Sequence, residues 1–209
     1  MSSKSKWGVF WLLVIGIVVG IVISCSTVSI VQWAGSDKFC TTWCHSMDGV
    51  AYAWKQGQHA RTPTGVTAGC SDCHLLNETN HPLTPLAYFQ LLFAKAEAGT
   101  VSLIGEIKGN YSTPEKWLER RKVTEKRVLD MMTENNFKNC RGCHNLEEMY
   151  DAKKPMIAQF HKGFIDKPTN CVQCHKTAGH NYKGVDAYIA EHNKFPPLED
   201  AWKTQAAAK

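Results

Sequence analysis

Cysteine pairs followed directly by a histidine are the residues of this chain that could carry out chemistry. Three segments have the pattern Cys-x-x-Cys-His, namely Cys70–His74, Cys140–His144 and Cys171–His175. A fourth segment, Cys40–His45, has one extra residue between its cysteines. Two thiols at this spacing can form thioethers with the two vinyl groups of one porphyrin, and the adjacent imidazole can bind its iron. The pattern predicts an electron-transfer protein with four covalent c-type haems, attached through Cys40, Cys44, Cys70, Cys73, Cys140, Cys143, Cys171 and Cys174.

Other uses of paired cysteines explain this pattern less well. Zinc sites contain Cys-x-x-Cys pairs, but they do not need a His directly after the second Cys. Thioredoxin-type redox motifs lie in a βαβ setting, and the sequence shows no strand pattern of any length. A disulfide framework would use an even number of cysteines without explaining the repeated His. Haem attachment therefore accounts for all four segments best.

The extra residue in the first motif changes the spacing of its thiols. Cys40 and Cys44 stand at i, i+4 instead of i, i+3, which keeps them on one face of a helical turn but displaces them relative to the porphyrin edge. Three outcomes stay open: both thioethers form after a local adjustment, Cys44 alone holds the haem, or the site carries no haem. Trp43 packs either against the porphyrin or quinone ring or simply against its neighbours.

The N-terminal segment is predicted to cross a membrane. No charged residue occurs from Gly8 to Trp33, and such a stretch is long enough to span the hydrocarbon core as a helix. Lys4 and Lys6 precede it, so the positive-inside tendency places them in the cytoplasm and the rest of the chain outside. Covalent haem attachment also takes place on the outer side. Both arguments predict a single-pass protein of the bacterial inner membrane with a periplasmic haem domain.

This segment has two other interpretations. A cleaved signal peptide would have a shorter apolar core and a small-residue cleavage site. The segment Val22–Cys25 resembles a lipobox, in which case Cys25 would be a lipidated N-terminus. In either membrane-bound form the domain is tethered to the lipid bilayer.

Helices separated by haem-binding loops are expected beyond the anchor. The stretch from Thr84 to Gly99 is almost uncharged and too short to span a bilayer, so this predicted helix must be buried or interfacial. A charged helix with Thr113 as N-cap is predicted to run towards Asn136. A short helix limited at its start by Pro155 is expected before His161. The predicted fold class is mainly α with extensive loops: a single N-terminal transmembrane helix followed by a compact multihaem cytochrome c domain.

The length of 209 residues fits one such domain. We assign residues 1–6 to the cytoplasm, 7–33 to the anchor, 34–184 to the periplasmic tetrahaem domain and 185–209 to a C-terminal tail that either docks a partner or is loosely ordered. The formal net charge of +5 comes from dispersed basic residues, so nucleic acid is not an expected partner. A homo-oligomer is compatible with the sequence.

Five histidines remain outside the motifs: His59, His81, His161, His180 and His192. A low-spin c-type haem needs a second axial ligand, and a second imidazole gives the lower reduction potentials suited to electron donors of low potential. A lone His is more often a surface residue, so the residues alone do not assign any of the five.

The combination of these features resembles the NapC/NirT family of membrane-anchored multihaem quinol dehydrogenases, to which the small subunit of periplasmic nitrite reductase is related. The likeness covers roughly residues 7 to 184 and includes the uncleaved anchor. The matching segments are Phe39–Cys40 leading into Cys44–Met47, His59 before Cys70 with Gly65–Val66 between them, Thr113–Trp117, Glu134–Asn136 before Cys140, His161 before Cys171, and Cys174–Lys176 followed by His180.

The resemblance implies a set of axial ligands to the four irons. For the first haem, the Met two residues after the motif His is the ligand in nitrite-reductase-type relatives. It corresponds to Met47, with His45 as the rival. For the other three haems the implied distal ligands are His180 with His74, His161 with His144, and His59 with His175, which leaves His81 and His192 as surface residues.

The resemblance also implies a quinol site beside the first haem, near the membrane surface. The family has an acidic residue there, and a Lys one to two turns earlier on the apolar helix. Glu97 takes the acidic position and could accept a quinol proton as general base. The Lys position reads Gln90-Leu91 here, and Lys95 is the nearest lysine. The competing interpretation of Glu97 is an interfacial charge at a helix end.

The function implied by the resemblance is oxidation of membrane quinol, either menaquinol or ubiquinol, in anaerobic respiration. Electrons would pass to a periplasmic terminal reductase or a soluble cytochrome. Two other functions stay open: a passive haem conduit or anchor for a partner that oxidises quinol itself, and a terminal reductase of a small nitrogen or sulfur oxide.

Overall fold

The computed structural model describes residues 3–75, 84–149, 153–165, 167 and 170–201. Within these ranges the chain consists of helices and loops, with no strand, which confirms the predicted fold class. His81 and residues 202–209 of the predicted tail lie outside the described residues.

Helix α1, Ser3–Ala34, contains the predicted anchor. Its stretch Lys6–Ala34 has 29 residues and is apolar enough to cross a membrane. At 1.5 Å per residue this stretch is about 43 Å long, which matches a bilayer including its headgroup regions. The side chains of this stretch are largely exposed, as expected for a helix that contacts lipid.

Short helices follow the anchor and carry the first two motifs. They are α2, Asp37–Thr42, a 3-10 turn at His45–Met47, α3, Asp48–Lys55, a second 3-10 turn at Gln58–Ala60, and α4, Cys70–His74.

Helix α5, Pro85–Ile107, is two turns longer than the sequence predicts. Thr84 caps its start, where its hydroxyl accepts a hydrogen bond from the backbone N–H of Ala87 at 3.2 Å. Gly99 does not end the helix because the apolar sequence continues beyond it. The helix ends instead at Gly109, whose φ of +65° allows a Schellman arrangement that satisfies the last carbonyl groups.

Helix α6, Pro114–Glu134, begins at the predicted N-cap Thr113. It ends with two residues in the left-handed conformation, Asn136 and Phe137, and the second of them is buried. The remaining elements are α7, Lys138–Cys143, a 3-10 turn at Leu146–Glu148, α8, Pro155–Lys162, α9, Cys171–Cys174, α10, Lys183–His192, and a 3-10 turn at Leu198–Asp200. The short helix that begins at Pro155 includes His161, which the sequence was expected to place after the helix.

A small apolar core joins α3, α6 and α10. Arg121 of α6 stacks over the rings of Trp117 and Tyr182 and binds the carboxylate of Asp186 at 2.6 Å. The segment that the sequence treats as a tail therefore packs, in its described part, into the body of the protein. The buried core residues are Tyr52, Ala53, Trp117, Val185, Ile189 and Ala201.

Candidate functional site

The first and second haem motifs are in direct contact. The carboxylate of Asp37, in the first turn of α2, accepts a hydrogen bond of 2.7 Å from the backbone N–H of Cys70. The thiols of Cys40 and Cys70 lie within hydrogen-bonding distance, and this contact lowers the pKa of Cys40 to about 7. A thiol with a lowered pKa is more readily deprotonated and so more nucleophilic at neutral pH. Helix α2, which follows the anchor, thus holds the first motif against the second.

The second and third motifs are joined by one buried amide. The side chain of Asn139 donates to the carbonyl groups of Asp72, at 3.0 Å, and Cys73, at 3.1 Å, and also to that of Leu75. Because Asn139 directly precedes Cys140, these bonds hold α7 against α4.

Arg141 links the third motif to the fourth. Its guanidinium donates to the carbonyl groups of Phe164, Ile165 and Lys167 at 3.0 to 3.2 Å. These residues lie in the segment that leads to the fourth motif. In addition, the thiol of Cys140 contacts that of Cys171 and lowers its pKa to about 7. Successive motifs in the chain are therefore neighbours in space.

Three of the motif histidines lie opposite a second imidazole. The ring centres are 6.0 Å apart for His74 and His180. Two imidazoles on opposite sides of one iron have ring centres about 6 Å apart, since each nitrogen lies about 2 Å from the metal. The other two pairs have similar separations: His144 with His59 at 5.8 Å and His175 with His161 at 6.1 Å.

The pairing agrees with the resemblance for His180 but exchanges the partners of His59 and His161. The Nδ1 atom of His59 lies 2.7 Å from the carbonyl oxygen of Ala178, and its ring centre lies 5.8 Å from that of His144. The Nδ1 atom of His161 lies 2.9 Å from the carbonyl of Ile157 in its own helix. Carbonyl partners of this kind are typical of metal-bound histidines. The structure therefore does not form the two pairs that the resemblance implies, His161 with His144 and His59 with His175.

These imidazoles fit the haems that the motifs predict. His144 and His175 are exposed residues, so space adjoins each of them, whereas loss of hydration lowers the pKa of His74. The Nδ1 atom of His180 is buried and lacks a hydrogen-bond partner among the described residues. Loss of hydration lowers the pKa of His180 to about 4, with a further contribution from His74. Both effects favour the neutral imidazole, which is the form that binds iron.

The first motif has a different environment. The side chain of His45 is 87% exposed and its Nδ1 atom lies 3.4 Å from the carboxylate of Asp48, whereas Met47 is half-buried. Between them, the backbone N–H of Ser46 donates to the carboxylate of Glu106 at 2.7 Å. The indole N–H of Trp117 donates to the Ser46 carbonyl at 2.9 Å.

An open cleft of about 460 Å³ adjoins this motif. Burial raises the pKa of the Asp48 carboxyl group, which brings it closer to the range useful for proton transfer. Glu106 was missed by the sequence reasoning, although it lies eleven residues, or about three turns, after Lys95 and therefore on the same face of α5. The cleft is lined by His45, Asp48, Glu106, Gly109, Tyr111, Ser112, Pro114, Asn193, Lys194 and Phe195.

The two residues expected at the quinol site lie on opposite faces of α5. The ammonium group of Lys95 donates to the carbonyl of Val31 in α1 at 2.6 Å. Glu97 is 72% exposed and pairs with Arg127 of α6 at 3.3 Å. The structure therefore does not bring these two side chains together.

The anchor, the helical fold and the chain of haem motifs define a membrane-anchored multihaem c-type cytochrome of electron transport. The model of the NapC/NirT cytochrome c family, N-terminal region, matches residues 2–185, so this chain belongs to that family.

Curated relatives agree with this assignment. The chain is 32% identical over 178 residues to the cytochrome c-type protein TorC of Escherichia coli strain K12, covering 85% of this chain and 43% of TorC. It is 32% identical over 180 residues to NapC of the same strain, covering 85% of this chain and 84% of NapC. It is 30% identical over 190 residues to the tetraheme c-type cytochrome CymA of Shewanella oneidensis, covering 87% and 95%. The chain thus spans less than half of TorC but most of NapC and CymA. No solved structure matches it.

Proposed function

We propose that this protein oxidises membrane quinol beside its first haem motif and passes the electrons through three further haems to a periplasmic reductase or soluble cytochrome. The observation that carries the proposal is the carboxylate of Glu106, which lies against the Ser46 backbone and lines the cleft next to that motif.

Quinol oxidation releases two electrons and two protons, and acceptors for both are required. When bound, the haems supply one-electron redox chemistry, so the two electrons leave one at a time. Glu106 and Asp48 offer two carboxylates in one cleft as proton acceptors. The hydroxyl-bearing ring of Tyr111 in the same cleft offers a hydrogen-bond partner for a quinol headgroup.

The onward path is supported by the contacts between motifs. Asp37, Asn139 and Arg141 each tie one motif to the next in chain order. A path that starts at Cys40–His45, beside the anchor, and ends at Cys171–His175 therefore uses neighbouring sites throughout.

The test is reduction of the purified holoprotein in liposomes by a menaquinol or ubiquinol analogue without any partner protein. We expect the haems to be reduced. If they stay oxidised, the proposal is wrong, and the protein is better described as a passive haem conduit for a partner that oxidises quinol. Turnover of nitrite or hydroxylamine without a partner would instead favour a terminal reductase.

Two variants identify the proton acceptor. Glu106→Gln should slow reduction by quinol while leaving reduction by dithionite and the haem content unchanged. Glu97→Gln is the competing prediction from the family resemblance. If only Glu97→Gln slows the reaction, the site lies on the outer side of α5 and not in the cleft.

A further inference from the structure

Helix α5 carries an apolar stripe that the described part of the protein leaves uncovered. Its members occur in two groups, one near each end of the helix, that fall on the same side of it at 3.6 residues per turn, and their exposed fractions range from 46% to 77%. They are Leu86, Phe89, Phe93, Ile104 and Ile107. A stripe of this length on a soluble surface would be unusual, because large exposed apolar patches normally mark a binding surface.

The opposite face of α5 is the one that contacts the protein. Leu91 and Gly105 are buried, Lys95 binds the Val31 carbonyl and Glu106 binds Ser46. At 3.6 residues per turn, Lys95 stands about half a turn away from Phe93 around the helix axis. The stripe therefore faces away from both the first haem motif and α1.

The contact of Lys95 with Val31 fixes the level of α5 relative to the membrane. Val31 lies in the last turn of α1, whose apolar stretch Lys6–Ala34 matches the full thickness of a bilayer. The end of that stretch is therefore at the headgroup region of the outer leaflet. Lys95 is near the middle of α5, so the middle of this helix lies at the level of the headgroup region.

Two further features at the same level suit a membrane interface. Trp33 and Trp43 are exposed and form a cluster with Phe39, with ring centres 4.7 to 5.6 Å apart. Tryptophan is enriched at membrane interfaces because its ring is apolar and its N–H polar. Glu97 lies on the same side of α5, between the two apolar groups, and is paired with Arg127, so its charge is not isolated at this level.

We propose that the outer face of α5 lies in the headgroup and acyl boundary of the outer leaflet, as a second membrane contact besides α1. The occupant of this face is lipid, because the Lys95 contact places the middle of α5 at the end of the lipid-contacting helix α1. The contact ties the first motif to the membrane, because Glu106 of the same helix binds the Ser46 backbone.

The test uses the full-length holoprotein in vesicles of phosphatidylethanolamine and phosphatidylglycerol. A diazirine reagent confined to the lipid phase is activated by light, and the protein is digested with trypsin. The peptide Ala96–Lys108 of α5 should be labelled, mainly at Leu103, Ile104 and Ile107. The peptide Val128–Lys138 of α6 has a similar apolar content and should remain unlabelled.

A pair of variants provides the matched control. Ile104→Ser with Ile107→Ser should lower labelling of the α5 peptide several-fold, whereas Val123→Ser, at an exposed position of α6, should leave it unchanged. Equal labelling of both peptides, or chemical cross-links between the stripes of two copies, would overturn the proposal. The readout needs neither quinol nor electron transfer, so it is independent of the proposed function.

Discussion

The carboxylate of Glu106 accepts a hydrogen bond of 2.7 Å from the backbone N–H of Ser46, across 60 residues of sequence. Ser46 stands between His45 and Met47, the two rival ligands of the first haem. Its carbonyl is held from the other side by the indole of Trp117. The segment that presents either ligand is thus fixed by one side chain from α5 and one from α6, and its position depends on how those helices pack.

Replacing Glu106 by Ala should disturb the first haem selectively. A hydrogen bond to a charged group contributes about 1.5–3 kcal/mol, and partial exposure of Glu106 reduces the expected loss of stability to about 1 kcal/mol. The electron paramagnetic resonance signal of the first haem should shift, while signals of the other haems stay unchanged. Glu106→Gln keeps the acceptor oxygen and should restore the signal. Identical spectra for Glu106→Ala and the parent would show that the bond does not position the ligand segment.

Gly49→Ala should displace Trp117. A Cβ atom at Gly49 would lie 2.6 Å from the Trp117 ring, which is fully buried and unable to retreat easily. Overpacking of this kind costs about 1–3 kcal/mol and would also weaken the indole bond to Ser46. Thermal unfolding measures the loss.

The matched control is Gly99→Ala in α5. A Cβ atom there meets nothing within 4 Å, and Ala favours a helix interior by roughly 0.5–1 kcal/mol over Gly. Gly99→Ala should therefore leave stability equal or slightly raised. If Gly49→Ala behaves like the control, the close packing of Trp117 on α3 does not contribute to the fold.

Local signals in the sequence were sufficient for the anchor and for the helix starts at Thr84 and Thr113. Caps and apolar runs act over a few residues, and their physical effect is the same in any fold. The contact of Glu106 with Ser46 could not be predicted in this way, because it depends on how α5 is placed against the first motif. The same limit applies to His59, which lies 85 residues before His144, whereas His161 lies only 14 residues before His175.

Val185→Ala should show that the predicted tail belongs to the core. Val185 is fully buried in the cluster around Trp117 and Ile189. Removing its two methyl groups should cost about 2 kcal/mol through lost burial and the cavity left behind. Val123→Ala, at an exposed position of α6, is the matched control and should change the unfolding free energy by less than about 0.5 kcal/mol. Equal effects of the two substitutions would mean that residues beyond 184 contribute little to folding.

The pairing of His59 with His144 can be tested in a chain that lacks the fourth haem. Cys171→Ala with Cys174→Ala removes the thiols that attach this haem, so the distal ligand of that haem loses its function. In this background His59→Ala should open a coordination position on the third haem. Carbon monoxide binding to the reduced protein, measured as an increase over the background chain, reports such a position.

His161→Ala provides the reciprocal measurement in the same background. In the structure His161 lies opposite His175, so its loss should add no carbon monoxide binding once the fourth haem is gone. The reverse result, with binding gained on loss of His161 and not of His59, would restore the pairing implied by the family resemblance. If the chain without the fourth haem does not accumulate, an electron cryomicroscopy structure of the complete holoprotein can determine which histidine binds the third haem. The ring of His59 should then bind the iron of the haem attached through Cys140 and Cys143, because the structure places this ring opposite His144.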